Sequence, residues 1–138
     1  MAGIGDERIQ EVIWRLDHDP VAWLTTVRPS GQPDTVAVWF LWKGDRFVIY
    51  SRPGKAKLRN LASNPKVSVV LDDTKQGTDV VRSYGEARVV SDYPSLDELP
   101  AYVEKYEHRI RANGYANTAV FAANFSVAIV ITPMKFWA

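Results

Sequence analysis

The sequence predicts a mainly β domain in which six antiparallel strands close into a barrel, with a few helices packed outside it. Runs rich in β-branched and aromatic residues follow one another, and most are separated only by short turns. Few segments show the spacing of an amphipathic helix. With 138 residues, 46% of them hydrophobic and 24% charged, the chain has the size and composition of one folded domain, residues 1–138. A sheet closed on itself leaves no exposed strand edge, which favours a barrel.

The elements follow this scheme in order along the chain. The segment Asp6–Leu16 carries apolar side chains at helical spacing, and the acidic residues at its start suit a helix N-terminus. The strands are bounded by glycine, proline or asparagine turn signals. The predicted strands are Val21–Val27, Thr35–Trp42, Arg46–Ser51, Lys66–Leu71, Asp79–Val90 and Phe125–Ile131.

Local residue signals refine several of these strands. The strand Thr35–Trp42 is nearly all apolar, which predicts that both of its faces are covered. Within the fifth strand, Gly85 predicts a bulge or bend. The polar segment Asp72–Thr78 is expected to form a loop. We expect Thr132-Pro133 to end the last strand, because proline cannot donate to a strand ladder.

Three further helical segments are predicted between the strands. A short helix at Ala56–Asn64 follows the Pro53-Gly54 turn. A second helical region comprises Pro94–Leu99 and Ala101–Asn113, and Gly114 suits the C-terminal end of that helix.

Composition excludes several classes of function. The formal net charge of +1 gives no general attraction for nucleic acid. The chain has no cysteine, which excludes disulfides, thiol nucleophiles and thiolate metal sites. No apolar run reaches membrane-spanning length, and the N-terminus lacks the features of a signal peptide. We therefore expect a cytoplasmic protein with no nucleic-acid or membrane partner.

The histidines give no sign of a metal or acid–base site. His18 follows the first helix, and His108 lies among charged residues of a predicted helix. Two isolated histidines are too few for a dedicated metal site. We expect both to lie at the surface and expect no catalytic dyad.

The positions of the tryptophans within the predicted strands indicate where their side chains lie. Trp23 and Trp39 lie within strands and are expected to fill the barrel. Trp42 and Trp137 lie near strand ends, where two interpretations stay open: further filling of the barrel, or the wall of a pocket for a planar substrate.

A basic segment at a strand-to-helix junction is the strongest functional signal. Arg52, Lys55, Lys57 and Arg59 fall within eight residues around the Pro53-Gly54 turn. The start of a helix offers free backbone N–H groups and the positive end of the helix dipole, and added lysines make such a turn suited to a phosphate. The alternative interpretation is a solvated basic turn without a ligand.

An ordered set of segments resembles a known family. The chain resembles the pyridoxamine 5′-phosphate oxidase-like split β-barrel family, also called the FMN-binding split barrel, over about Val21 to the C-terminus. The likeness is to the branch that uses the deazaflavin coenzyme F-420. The segments that carry it are Trp23–Pro33, Val36–Phe40, Tyr50–Leu61, Asn64–Ser68, Gly85–Ala87 and Ile131–Trp137.

The resemblance implies a homodimer with cofactor clefts between the subunits. It implies an oxidoreductase that passes hydride from reduced F-420 to a small conjugated organic acceptor. Two alternatives remain: an FMN-dependent oxidoreductase, or a protein that binds flavin, deazaflavin or haem without turnover. We expect the dimer to bury apolar residues between Val36 and Trp42.

The resemblance also implies a set of cofactor-binding residues. Lys57 matches the phosphate-contacting lysine, and Ser51 matches a hydroxyl residue that also meets the phosphate. The other implied residues are Val36, Ala37, Val38 and Trp39 beside the ring system, Tyr50, and Arg52, Lys55 and Asn60 near the phosphate or tail.

Departures from the family pattern bear on the activity and the cofactor. Thr35-Val36 and Asp79-Val80 stand about where pyridoxamine phosphate oxidases have arginine or an Arg-Gln pair, and their C-terminal Arg-x-His is absent. Vitamin oxidation is therefore not expected. The cationic run from Arg52 to Arg59 is longer than one phosphate requires, which favours F-420, with its chain of glutamates, over FMN.

Overall fold

A computed structural model of the protein describes residues 1–72 and 76–138, so the predicted polar loop Asp72–Thr78 lies partly outside the described residues. The strands are β1 (Ala22–Val27), β2 (Pro33–Val38), β3 (Leu41–Trp42), β4 (Phe47–Ser51), β5 (Lys66–Leu71), β6 (Val81–Val90) and β7 (Val127–Trp137). The helices are α1 (Asp6–His18), α2 (Ala56–Ser63), α3 (Pro100–Ala112) and α4 (Thr118–Asn124), with a 3₁₀ turn at Leu96–Glu98 before α3.

The strands form one antiparallel sheet in the order β2-β1-β5-β6-β7-β4-β3. The sheet curls into a split barrel, which confirms the predicted fold class. The two edge strands, β2 and β3, are consecutive in the chain, so the split lies where the chain passes from one to the other.

The described residues contain seven strands rather than six because the predicted strand Thr35–Trp42 is interrupted at Trp39-Phe40. A buried tyrosine of α3 causes the interruption. The Tyr106 hydroxyl accepts a hydrogen bond from the Phe40 N–H at 2.9 Å and donates to the Pro20 carbonyl at 2.7 Å. The Phe40 amide is thus satisfied by a side chain, and no strand partner is needed there.

The predicted covering of both faces of the second strand is wrong within one protomer. Side chains of β2 alternate, with Thr35 and Ala37 exposed, Val36 half-buried and Val38 buried. The cause is position, since β2 is an edge strand of the curled antiparallel sheet.

The predicted end of the last strand at Thr132-Pro133 is also wrong, because β7 continues to Trp137. Pro133 lies opposite Gly85, where the register between β6 and β7 shifts. A proline is tolerated there because the ladder is already interrupted. A Cβ on Gly85 would collide with the Thr132 carbonyl oxygen, and the predicted bulge at Gly85 is confirmed.

The helices follow the prediction, apart from differences in extent and one additional helix. Helix α2 ends one residue early, and Gly114 has a φ of 90° after α3, which confirms its predicted place at the helix end. Of Pro94–Leu99, only a 3₁₀ turn forms. Helix α4 was not predicted, although the Asn117 side chain caps it by accepting from the Val120 N–H at 2.9 Å.

Two apolar clusters hold the fold together. The first fills the barrel with residues such as Leu24, Phe47 and Ile129, and α1 closes it with Val12 and Leu16. The second lies outside the barrel and packs α3 and α4 onto β4 and β7. Every residue of β4 is buried because this strand lies between the two clusters.

Trp23 and Trp39 depart from the predicted filling of the barrel, whereas Trp42 packs on the barrel core. Trp23 is 47% exposed on the outer face of β1, since the alternation of that strand turns Ala22 and Leu24 inward. Trp39 packs against the cluster outside the barrel. Trp42 packs edge-on against Phe47 at 4.9 Å.

Among the described residues, no helix combines the length and the apolar character that a membrane crossing requires.

Candidate functional site

A cavity of about 300 Å³ lies between the edge strand β2 and the helices α3 and α4. Strand β4 contributes Tyr50 to its wall, and Lys57 reaches it from α2. Most of the wall is aromatic. The aromatic lining residues are Trp39, Tyr50, Tyr102, Tyr115, Phe121 and Phe125.

The aromatic rings on the helical side of the cavity support one another. Phe121 of α4 stacks on Phe125 at 4.3 Å and on Trp39 at 5.4 Å between ring centroids. Tyr115 meets Phe121 edge-on at 4.9 Å. Such packing fixes the orientation of the rings, so the cavity presents flat, rigid apolar surface that suits a planar conjugated ligand.

Lys57 is the cation of this cavity. The Pro53-Gly54 turn, in which Gly54 has a φ of 76°, redirects the chain from β4 into α2, and Lys57 lies in the first helical turn. The helix start has no side-chain cap and no acidic residue. Lys57 and the first backbone N–H groups of α2 thus belong to the same helical turn, which suits an anion.

The charge of Lys57 is only partly solvated. Burial lowers the pKa of its ammonium below the ordinary value, and the neighbouring charge of Lys55 lowers it further. In the part of the chain that the structure describes, no carboxylate forms an ion pair with Lys57. A half-buried cation without a counter-ion is stabilised by binding an anion.

The arginines of the basic segment have protein acceptors. The Arg52 guanidinium donates to the Tyr115 hydroxyl at 2.7 Å and to Asn124 Oδ1 at 3.4 Å, and lies 4.7 Å from the centroid of the Phe125 ring. Arg59 donates to the Gly54 carbonyl at 2.8 Å. Arg52 therefore clamps the segment 113–125, which forms the helical side of the cavity, onto the end of β4.

The structure brings together Ala37, Val38, Trp39, Tyr50 and Lys57 of the predicted cofactor-binding residues, and all of these line the cavity. The other predicted residues, Val36, Ser51, Arg52, Lys55 and Asn60, do not line it.

Three of those remaining residues are engaged inside the protein. Ser51 is buried and donates to the Arg52 carbonyl at 2.8 Å. Asn60 is buried and donates to Thr26 Oγ1 at 2.9 Å. Val36 packs on the barrel core. Lys55 is exposed immediately before α2.

Tyr50 and Tyr102 of the cavity are neutral at physiological pH. Burial raises the pKa of Tyr50 and of Tyr102 well above the ordinary value, and the Tyr50 hydroxyl donates to the Pro94 carbonyl at 2.7 Å. The described lining residues include no carboxylate and no histidine. Both histidines are exposed elsewhere, and His18 stacks on Trp14 at 4.2 Å. The cavity can thus bind and orient a ligand through its aromatic surface and Lys57.

Within residues 1–72 and 76–138, no three or more His, Cys, Asp or Glu side chains come together in a group that could hold a metal ion.

The split barrel, its aromatic cavity and a lysine suited to a phosphate are together typical of one class of cofactor-binding domain. The chain belongs to the pyridoxamine 5′-phosphate oxidase family, whose model matches residues 6–136.

Solved structures agree with this assignment. An F420 reductase is 25% identical with a TM-score of 0.69, and the alignment covers 88% of this chain and 91% of that one. A conserved hypothetical protein from Mycobacterium tuberculosis is 20% identical with a TM-score of 0.71, covering 99% and 84%. The heme storage protein HutZ from Vibrio cholerae is 15% identical with a TM-score of 0.61, covering 96% and 93%. The last two show the fold alone.

Sequence reasoning missed the helical side of the cavity. Tyr102, Tyr115, Phe121 and Phe125 are far in sequence from Lys57, and nothing in their spacing indicates that they face it. The Asn117 cap is the local signal that marks α4, but only the packing of α4 onto the outer cluster turns its rings toward the cavity.

Proposed function

We propose that the protein is an oxidoreductase that binds the deazaflavin coenzyme F-420 in this cavity and passes hydride to a small conjugated organic acceptor. The observation that carries the proposal is Lys57, a half-buried cation at an uncapped helix start, on the wall of an aromatic cavity. Coenzymes of the flavin type combine the two matching features, a phosphate and a planar ring.

The residues present fit such a coenzyme. The aromatic surface of Trp39 and Phe121 suits the face of a ring system. Ala37 and Val38 lie on an edge strand, where half of the backbone N–H and C=O groups have no strand partner and are available to the polar edge of a ring. Lys57 and the first amides of α2 suit the phosphate.

The bound deazaflavin would supply the hydride, and the chain would supply position and exclusion of water. The rigid rings hold the acceptor against the coenzyme, so that the two reacting partners meet in one orientation. Tyr50 and Tyr102 are neutral and add no charge to the site. In this proposal the chain's contribution is geometric: it places the acceptor against the coenzyme.

The choice of F-420 over FMN rests mainly on the F420 reductase at 25% identity. The basic segment supports F-420 less than its four cations suggest, because Arg52 and Arg59 already donate to protein acceptors. Lys55 and Lys57 are the cations best placed to meet a charged tail. An FMN-dependent oxidoreductase is therefore the second candidate.

A haem-binding function without turnover is the third candidate, and the site favours it least. An axial histidine is the usual haem ligand, and neither His18 nor His108 lines the cavity.

We further propose that the protein is a homodimer and that the second copy closes this cavity. The protomer leaves apolar side chains exposed beside the cavity, including Val21 at 37% and Trp23 at 47%. Val38, Phe40 and Leu41 are already buried within the protomer. The apolar surface open to a second copy thus lies on β1 and the outer face of β2.

Absorption spectra of the protein after mixing with each coenzyme and removal of the free ligand test the proposal. We expect F-420 to remain bound and, once reduced, to be oxidised by members of a panel of quinones, enones and tetrapyrroles. Retention of FMN with no retention of F-420 would favour the second candidate, and retention of F-420 with no turnover would favour a binding protein.

A further inference from the structure

A second cavity, of about 380 Å³, lies between the end of α1, strand β3 and helix α3. Its charged and polar lining consists of Asp17, His18, Glu104 and Lys105, and Leu41 and Trp42 form its apolar wall. None of these residues lines the first cavity, so this site is separate from the proposed coenzyme site.

The amine of Lys105 is held in place by a single backbone acceptor. Its Nζ donates to the Phe40 carbonyl at 2.9 Å and lies 3.8 Å from the centroid of the Phe40 ring. Within the described ranges, no carboxylate is close enough to form an ion pair with it. The rings of Phe40 and Tyr106 beside the amine exclude water without neutralising the charge of the ammonium.

The surroundings favour the uncharged form of this amine. Burial lowers the pKa of Lys105 to about 8; Asp17 of α1 and Asp19 just after α1 oppose the shift, and Arg109 of α3 adds to it. Of the other groups near it, Tyr106 is neutral, because burial raises its pKa. At neutral pH roughly a tenth of such an amine is uncharged, against less than about a thousandth of an ordinary lysine.

Proton acceptors lie in the same cavity. His18 Nδ1 lies 2.8 Å from the Trp14 carbonyl oxygen, which can only accept, so Nδ1 carries the proton. In the neutral ring Nε2 is then free to accept a proton. Glu104 and Asp17 add carboxylates, and their negative charge disfavours anionic ligands.

We propose that Lys105 is a nucleophilic amine that forms imines with small uncharged aldehydes entering the second cavity. The lone pair of Nζ attacks the carbonyl carbon, and the π electrons of the C=O bond move to oxygen. A proton passes from nitrogen to oxygen to give a carbinolamine. Loss of water then breaks the C–O bond and leaves a C=N bond. Nothing is oxidised or reduced in these steps.

Reductive labelling of the intact protein tests the proposal. The protein is treated at pH 7 with limiting acetaldehyde and sodium cyanoborohydride, which traps imines as ethylamines, and each lysine is quantified by peptide mass spectrometry. We expect Lys105 to be labelled about tenfold or more faster than the exposed Lys43, after allowance for slower entry into the cavity.

Two exposed charges near Lys105 provide matched variants with opposite expected effects. Asp17→Asn removes a charge that favours the ammonium, so labelling should become about twofold or more faster. Arg109→Gln removes a charge that disfavours it, so labelling should slow by a similar factor. Labelling of Lys43 should stay the same in both, and circular dichroism checks the fold.

A variant that fills the second cavity provides an independent test of the proposal. Ala101 lines the cavity from α3, and Ala101→Phe should slow the labelling of Lys105 without changing that of Lys43. The proposal is overturned if Lys105 reacts no faster than Lys43 in the parent protein. It is also overturned if Lys105 is labelled fast but at the same rate in the parent protein, Asp17→Asn and Arg109→Gln. Neither result depends on bound coenzyme, so the experiment tests the imine proposal separately from the proposed hydride transfer.

Discussion

At the scale of single residues, the Tyr106 hydroxyl decides where the barrel splits. It accepts from the Phe40 N–H, a buried contact, and donates to the Pro20 carbonyl, a part-buried one. A single buried oxygen thus satisfies the backbone at the gap between β2 and β3. The Phe40 N–H would be left unpaired if this oxygen were removed.

We expect Tyr106→Phe to lower the free energy of unfolding by about 1–3 kcal/mol, the cost of a buried polar group without a partner. Urea denaturation followed by circular dichroism measures this. Tyr84→Phe is the matched control, because Tyr84 is 44% exposed on the outer face of the sheet. Equal stability of the two variants would contradict the assigned role of Tyr106.

At the scale of elements, the contact between β4 and the segment 113–125 shapes the first cavity. Arg52 makes this contact through Tyr115 and Asn124. Helix α4 has seven residues, and an isolated helix of that length is not stable in water. Its order therefore depends on tertiary contacts such as the Arg52 clamp.

Removing the clamp should loosen α4 and leave the sheet unchanged. In Arg52→Ala we expect the amides of α4 to exchange with solvent about tenfold or more faster, because hydrogen bonds to a charged group are lost. Hydrogen exchange with mass spectrometry resolves this segment from the strands. Arg59→Ala, which loses one exposed bond to Gly54, serves as control. Unchanged exchange in α4 would show that Arg52 does not hold it.

The elements also show how far the sequence predicts the fold. Periodicity and turn residues locate α1, β1, β4, β5, β6 and the bulge at Gly85, because these signals are local. The break at Phe40 and the passage of β7 through Pro133 depend on Tyr106 and Gly85, which are distant in sequence. Local rules cannot supply such partners.

The candidate site likewise has one part that the local sequence predicts and another that depends on tertiary packing. The basic turn predicts Lys57, since a helix start and its charges are contiguous in sequence. The aromatic rings of α3 and α4 become part of the site only through packing. The same packing engages Arg52 and Asn60 with Tyr115 and Thr26, and a sequence pattern gives no sign of those hydrogen bonds.

At the scale of the whole molecule, the exposed apolar face of β1 and β2 is the surface that the proposed homodimer would bury. We expect sedimentation to give a dimer at micromolar concentration, since permanent pairs commonly bury more than roughly 2,000 Å². Trp23→Glu should give a folded monomer, because Trp23 is half-exposed in the protomer. Phe40→Leu, a conservative change inside the core, should stay dimeric. A parent protein that is monomeric with coenzyme bound would rule the dimer out.

The central claim is that Lys57 holds the phosphate of a coenzyme whose ring enters the aromatic cavity. The most direct measurement is a calorimetric titration of F-420 into the parent protein, Lys57→Ala and the control Lys43→Ala, an exposed lysine on another turn. A charge-assisted hydrogen bond contributes roughly 1.5–3 kcal/mol, so Lys57→Ala should weaken binding about 10- to 100-fold. Unfolding midpoints should be unchanged, and Lys43→Ala should bind like the parent. Equal affinity of the parent and Lys57→Ala would contradict the claim and leave the basic segment as a solvated turn.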